Sequence, residues 1–303
     1  MLVAPRGYCA GVERAVEVVE VALERWGPPI YVRKQIVHNV HVVRGLQARG
    51  AVFVDCEEDV PHGARIVFSA HGVSPAVQER VEVLGLKPVD ATCPLVAKVH
   101  AEARHYAARG YSIVLIGHAG HEEVEGTMGE APSAIVLVES VKDAERVAPR
   151  RRDRLAYLTQ TTLSVDESAA IIDVLRRRFP AIEAPGQEDI CYATTNRQRA
   201  VKAALAEIEF LLVIGSQNSS NSNRLVEVAR SNGVAAELID GAEDIEERWF
   251  DGIESVGVTS GASAPEWLVL RVVSWFSRRG VEVVQRRTAA PEDVRFRLPV
   301  EVR

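Results

Sequence analysis

The chain has 303 residues, 47% hydrophobic and 26% charged, which gives room for two or three domains and a sizeable core. A net charge of −6 argues against general affinity for nucleic acid or an anionic membrane, so neither is expected as a partner. Four widely separated cysteines are not the disulfide framework of a small secreted domain, and thiols serving a metal or catalysis in a reducing compartment fit better.

Leu2–Ala4 is strand-length, and Pro5, Arg6 and Gly7 interrupt it before a signal-peptide core can form. The longest apolar run, Phe210–Gly215, falls far short of the ~20 residues of a membrane helix. A cytoplasmic location is expected.

From Cys9, Val12, Val16, Val19, Leu23 and Trp26 recur at helical spacing, with Glu13, Glu17, Glu20 and Glu24 between them. A strand at Ile30–Val32 then runs into the polar loop Val37-His38-Asn39. A helical stretch, a strand at Ala51–Val54, a connector and a last strand lead to a second loop, Ser69–Ser74. The pattern restarts at Cys93. Its stripe is Val96, Val99, Ala103 and Tyr106, Gly110 is the expected stop, and Ile113–Ile116 leads to Gly117–Glu123. Ala134–Val138 follows, and the second loop is Thr159–Ser164. It restarts again at Cys191, with Val201, Leu205 and Ile208, then Phe210–Ile214, Gly215–Asn223, Ala235–Ile239 and Thr259–Ala264. Val281–Val284 reads as a strand in the tail.

The cysteines lie 84 and 98 residues apart and head three related blocks, 1–92, 93–190 and 191–303, the last including the tail. Leu2–Ala4 is left open to pair with another block, the third included. Alternating strands and helices imply an α/β fold: three related domains with small parallel sheets in pseudo-threefold arrangement, the cysteines near the axis. Ligands in such folds sit beyond the carboxyl ends of the strands, where all six polar loops lie. The basic run Arg150–Arg154 reads as a solvated loop, with a docking patch for an acidic electron-transfer protein as the alternative.

A thiolate at a helix start is stabilised by free N–H groups and by the helix dipole. Three such thiols can hold a metal or an iron–sulfur cluster and leave one coordination position open. A zinc site of three cysteines and a histidine and a [4Fe–4S] cluster both fit. Cys56 breaks the pattern and reads as incidental.

His38, His71 and His121 lie in three of the six loops. The other three carry Thr161, Ser219-Ser220-Asn221 and Ser263. These hydrogen-bonding groups suit an anion with many oxygens, a phosphate or diphosphate. No P-loop or G-x-G-x-x-G points to a nucleotide. Glu123, beside a cluster and a bound anion, is expected to stay protonated and donate a proton. Glu122 and Glu125 are less obviously placed, and His118 stands between site and support. His41, His62, His100 and His105 read as surface or structural.

The segments PRGYCAGVERAV, VHN, SAHGVS, DATCPLVAKVH, GHAGHEEVEGTMGE, TQTTLS, DICYATTNRQ, GSQNSSNSNR and GVTSGASAP resemble the signature segments of the 4-hydroxy-3-methylbut-2-enyl diphosphate reductase family (IspH/LytB), from residue 5 to 265. The resemblance implies the last step of the deoxyxylulose phosphate (MEP) route to isoprenoids, in which the allylic alcohol diphosphate is reduced to isopentenyl and dimethylallyl diphosphates. By the same resemblance, Cys9, Cys93 and Cys191 ligate a [4Fe–4S] cluster with one open iron, which loss of that iron in air would leave as [3Fe–4S]. It further implies that His38, His71, His121, Ser219, Ser220, Asn221 and Ser263 clamp the diphosphate. Thr161 would orient the substrate hydroxyl, Glu123 would deliver protons, and ferredoxin or flavodoxin would supply electrons. Glu122 departs from the pattern, since a proline or small residue is expected there. Two other readings of the residues are an iron–sulfur dehydratase or lyase, and a zinc protein binding a phosphorylated small molecule.

Overall fold

A computed structural model of the chain describes residues 1–282 and 292–303 and the backbone of 286–288. In chain order the main elements are β1 (Leu2–Ala4), α1 (Ala10–Trp26), β2 (Ile30–Arg33), α2 (Val40–Ala48), β3 (Ala51–Val54), β4 (Arg65–Phe68), α3 (Pro75–Val83), β5 (Lys87–Asp90), α4 (Pro94–Ala108), β6 (Ser112–Ile116) and α5 (Glu122–Glu130). Then come β7 (Ile135–Val138), α6 (Val141–Arg146), β8 (Leu155–Thr159), α7 (Val165–Arg178), α8 (Tyr192–Ala204), β9 (Phe210–Ile214), α9 (Ser220–Ser231), β10 (Ala235–Ile239), β11 (Val256–Ser260), α10 (Glu266–Ser277) and β12 (Arg286–Thr288).

The strands form three parallel sheets, ordered β3-β2-β4-β5, β7-β6-β8 and β10-β9-β11-β1-β12. The fold is therefore α/β with three small parallel sheets. All three follow one plan. The first strand after a cysteine's helix is central, and the second and third strands of the block flank it. Outside the third strand lies the segment that runs up to the next cysteine. β5 leads to Cys93 and β1 to Cys9, and Glu183 makes an isolated parallel bridge to Ala156 on the way to Cys191. β1 joins the third block's sheet, Leu2 aligned with Val258. In the tail, Val281 and Glu282 belong to no strand, so that part of the expected Val281–Val284 strand is corrected. Val283 and Val284 lie outside the described residues, and the described tail strand is β12, paired with β1.

The central strands are apolar on both faces because helices cover both. Leu211 and Val213 of β9 pack with Val201 of α8 and Leu225 of α9. Leu212 and Ile214 of the same strand pack with Leu268, Val272 and Phe276 of α10. β6 divides likewise, with Ile113 and Leu115 against Val99, Ala103 and Tyr106 of α4 and Val114 and Ile116 against Ile171 and Leu175 of α7. The α4 stripe expected from spacing is thus the buried one. Gly110 ends that helix at φ +75, where Tyr111 N–H reaches back to the Tyr106 carbonyl at 3.1 Å.

The chain divides into two compact units. One comprises Met1–Glu13, Val37–Gly45 and Tyr192–Arg295, and the other comprises Arg14–Ile36, Leu46–Cys191 and Phe296–Arg303.

Candidate active site

All four cysteines are free thiols of intermediate exposure. Cys93 caps α4, with Pro94 at the first helical position, and Cys9 and Cys191 directly precede α1 and α8. Each of these three amides donates to the carbonyl two residues beyond a strand end. Cys93 bonds Ala70 at 2.9 Å after β4, Cys191 bonds Thr161 at 3.0 Å after β8, and Cys9 bonds Ala262 at 3.2 Å after β11. The backbone of each cysteine is thereby fixed by the third-strand loop of a block. Three undisulfided thiols at helix starts fit a thiolate-ligated iron–sulfur group, because helix N-termini lower the cost of the thiolate charge. Cys56 differs. Its thiol donates to Asp59 Oδ2 at 3.2 Å, and that bond pushes its pKa up, away from the thiolate.

The unit that holds Cys93 and Cys191 also brings His71, His121, Glu122, Glu123 and Thr161 together. Glu123 and Glu122 are not in a free loop; they form the first turn of α5, capped by His121. His121 Nδ1 accepts the Glu123 N–H at 3.2 Å, which leaves Nε2 as the donor of the neutral ring. Burial, with His71 and His118 nearby, pushes the His121 pKa down to about 3. In the free protein the ring would therefore meet an anion as a neutral N–H. His71, edge-on to His121 at 5.7 Å, places Nδ1 3.1 Å from Glu122 Oε2. Glu122, the residue that departs from the expected pattern, is thus the orienting partner of His71.

Glu123 is only 2% exposed. Its Oε1 accepts the Thr161 N–H at 2.6 Å and its Oε2 the Thr161 hydroxyl at 2.9 Å. Burial pushes its pKa up and the two Thr161 bonds pull it down. Thr161 then passes the contact on, since its carbonyl holds the Cys191 amide.

The unit that holds Cys9 brings His38, Ser219, Asn221 and Ser263 together, with Ser220 opening α9. Ser219 caps α9, its Oγ accepting the Ser222 N–H at 3.3 Å. Ser263 donates to the His38 carbonyl at 2.9 Å and lies 3.4 Å from Ser219 Oγ. His38 Nδ1 is 3.3 Å from the Asn218 amide nitrogen. Asn221 is engaged at both ends, Oδ1 accepting the Ala262 N–H at 2.9 Å and Nδ2 donating to Thr194 Oγ1 at 3.1 Å. Hydroxyls and amides at the start of a twelve-residue helix are favourable to anions.

Sequence reasoning missed several supports. Buried Asn39 caps α2, its Oδ1 accepting the His41 and Val42 N–H groups at 3.1 Å each; an asparagine just before a helical stretch was the available signal. Asn218 beside His38 and Glu122 beside His71 had no such signal. His100 is structural, pairing with Glu130 at 2.8 Å. Arg150–Arg154 is exposed and precedes β8, at the far end of that strand from Thr161. Among the described residues, no helix is long and apolar enough to cross a membrane.

The LytB protein family profile matches residues 1–277. A 4-hydroxy-3-methylbut-2-enyl diphosphate reductase of Acidothermus cellulolyticus is 57% identical, over all of this chain and 89% of its own length. The corresponding reductase 2 of Mycobacterium tuberculosis H37Rv is 56% identical, over all of this chain and 91% of its own. Among solved structures, the E-1-hydroxy-2-methyl-but-2-enyl-4-diphosphate reductase of Plasmodium falciparum superposes with a TM-score of 0.94 at 38% identity, covering 99% of this chain and 95% of that one. A structure of (E)-4-hydroxy-3-methyl-but-2-enyl diphosphate reductase, described as the terminal enzyme of the non-mevalonate pathway, matches with a TM-score of 0.64 at 29% identity, covering 92% of this chain and 98% of that one.

Proposed function

The chain belongs to the LytB family, and from that membership we infer that it reduces 4-hydroxy-3-methylbut-2-enyl diphosphate to isopentenyl and dimethylallyl diphosphates, the last step of the non-mevalonate (MEP) isoprenoid route. The substrate takes up two electrons and two protons, its C–O bond breaks, and water leaves. The enzyme is an iron–sulfur oxidoreductase acting on a small diphosphate with an external electron donor. Ferredoxin or flavodoxin is the donor we propose, in a reducing cytoplasm where thiols persist.

Cys9, Cys93 and Cys191 would hold the cofactor, read as a [4Fe–4S] cluster with three thiolate ligands. When bound, the cluster supplies electrons and a Lewis-acidic iron. His38, His71, His121, Ser219, Ser220, Asn221 and Ser263 are the proposed diphosphate clamp. They offer neutral and charge-assisted donors that hold the reacting carbon in place, where proximity lowers the barrier.

One observation carries the reading: a buried carboxyl, Glu123, is bonded twice to Thr161, whose carbonyl fixes the amide of Cys191. Burial favours the protonated carboxyl. With the proton on Oε2, that oxygen donates to Thr161 Oγ1, and the Thr161 hydroxyl is released to donate in turn. Its natural acceptor is the substrate hydroxyl, and protonation there turns hydroxide into water as the leaving group. Anaerobic turnover with and without a chemical reductant tests this. Product formation only with reductant is expected, and turnover without it would sink the reductase in favour of a lyase.

A further inference from the structure

On each helix opened by one of the three cysteines, a cation lies about one and a half turns in. Arg14 and Lys98 are five residues beyond Cys9 and Cys93, and Arg197 is six beyond Cys191. Each reaches the backbone just ahead of a different cysteine.

Arg14 donates Nη1 to the Thr92 carbonyl at 3.0 Å and Nη2 to the Asp90 carbonyl at 3.4 Å, one and three residues before Cys93. Lys98 donates to the Gln187 carbonyl at 2.6 Å, the Glu188 carbonyl at 3.4 Å and Asp189 Oδ1 at 2.9 Å, the last two residues before Cys191. Asp189 Oδ2 accepts the Thr159 N–H at 2.9 Å, which ties the same run to the end of β8. Arg197 donates Nη2 to the Gly7 carbonyl at 2.9 Å, two residues before Cys9, and Nη1 to the Ala193 carbonyl at 3.0 Å. Gly7 sits at φ +75, a conformation that favours glycine, and its N–H donates to Ser260 Oγ at 2.8 Å. The helix after Cys9 thus braces Cys93, the helix after Cys93 braces Cys191, and the helix after Cys191 braces Cys9.

Two of the three are costly positions for charge, while Lys98 is partly exposed and paired with Asp189 and Glu102. Arg14 is 8% exposed and Arg197 1%. A buried cation needs either counter-charge or many good acceptors. Arg14 has backbone carbonyls, the third being that of Arg297 at 2.7 Å. Arg197 has Glu292 at 3.2 Å, a partner outside the cysteine helices. A neutral side chain could brace a backbone more cheaply. The recurrence of a cation at a matched step on each cysteine-led helix therefore points to a negative group at the cysteines they brace.

We propose that Arg14, Lys98 and Arg197 are the positioning residues of the cluster ligands: each fixes the backbone that delivers the next cysteine, and their charge favours the reduced cluster. The proposal rests on the assignment of Cys9, Cys93 and Cys191 as ligands. It separates two effects. Placement governs how much iron is held, and charge governs the reduction potential, which depends on the net charge around a cluster.

The test uses anaerobically reconstituted full-length protein. Iron and sulfide per chain are measured, with the midpoint potential taken by spectroelectrochemical titration. Arg14→Gln, Lys98→Gln and Arg197→Gln keep donors for the carbonyls and lose the charge. Arg14→Lys, Lys98→Arg and Arg197→Lys keep the charge. The expected result is lowered iron in both sets but a lowered potential only in the Gln set. The predicted drop is about tenfold in the ratio of reduced to oxidised cluster at a fixed poise, about 59 mV for one electron. Glu292→Gln, which leaves the Gly7 contact in place, serves where a Gln variant fails to unfold cooperatively; its potential should rise. Equal potentials in the Gln and charge-keeping sets, or an unmoved potential in Glu292→Gln, would overturn the proposal. A wild-type chain that takes up no iron and sulfide would instead overturn the ligand assignment itself.

Discussion

Glu123 and Asn221 hold the second position of their helices and use one side-chain oxygen alike. Oε1 of Glu123 accepts the Thr161 N–H at 2.6 Å, and Oδ1 of Asn221 accepts the Ala262 N–H at 2.9 Å. In both cases the residue so held presents its carbonyl to a cysteine amide. A carboxyl and an amide thus share one structural duty, and the proposed proton delivery would belong to Glu123 alone.

Glu123→Gln keeps an oxygen for the Thr161 N–H and loses the acid. We predict iron content and substrate binding near wild type, with kcat lowered by about 10²–10⁴. Glu123→Ala loses the anchor as well, so its iron content falls too. Anaerobic kcat beside iron per chain separates the two, and a Gln variant with an unchanged rate removes Glu123 from the proton path.

Asn221→Ala leaves the Ala262 N–H without its buried acceptor, at about 1–3 kcal/mol in urea unfolding. Asn221→Asp retains that acceptor and loses the donor to Thr194. The Ala variant should therefore lose more iron than the Asp variant. If both instead keep full iron and only KM rises, Asn221 belongs to the diphosphate clamp alone.

His121 makes the fold acid-sensitive. Its pKa in the folded chain, pushed down to about 3, lies below the ordinary histidine value of 6.5, so the unfolded chain binds more protons between those limits. Stability is accordingly lost as pH falls from about 6.5 toward 3, by up to about 1.4 kcal/mol per unit. His121→Asn can still cap α5 and removes the titration. The gap between urea midpoints at pH 7 and pH 4 should narrow in that variant, and an undiminished gap would count against it.

The proposed ligand assignment separates the cysteines. Cys93→Ser should abolish retention of iron and sulfide, while Cys56→Ser should leave both unchanged. Full iron content in a folded Cys93→Ser protein refutes the ligand assignment.

Much of the architecture is legible in the letters. The α4 stripe, the apolar β9 and the stop at Gly110 are local patterns, and burial on both faces makes a strand such as Phe210–Ile214 plain. β5 is hidden because Val89 is its only buried residue and Pro88 interrupts the pattern. The acceptors of the three cysteine amides are backbone carbonyls, which carry no signature in side-chain identity. Glu122 is illegible for another reason: its partner His71 lies 51 residues away, so nothing near Glu122 announces the pair. The first turns of α5 and α9 read as loops because the glutamates that open α5 and the serines and asparagines that open α9 look like loop residues until the helix behind them is seen.

The place of β1 has a consequence for how the protein is made. Leu2 leaves the ribosome well ahead of its partner Val258. At synthesis rates of about 5–20 residues per second, the strand waits on the order of tens of seconds for its neighbour. Ala262, which holds the Cys9 amide, emerges later still. A nascent chain stalled before Val256 should leave residues 2–9 open to protease, and Cys9 gains its backbone anchor only after Ala262 has been made.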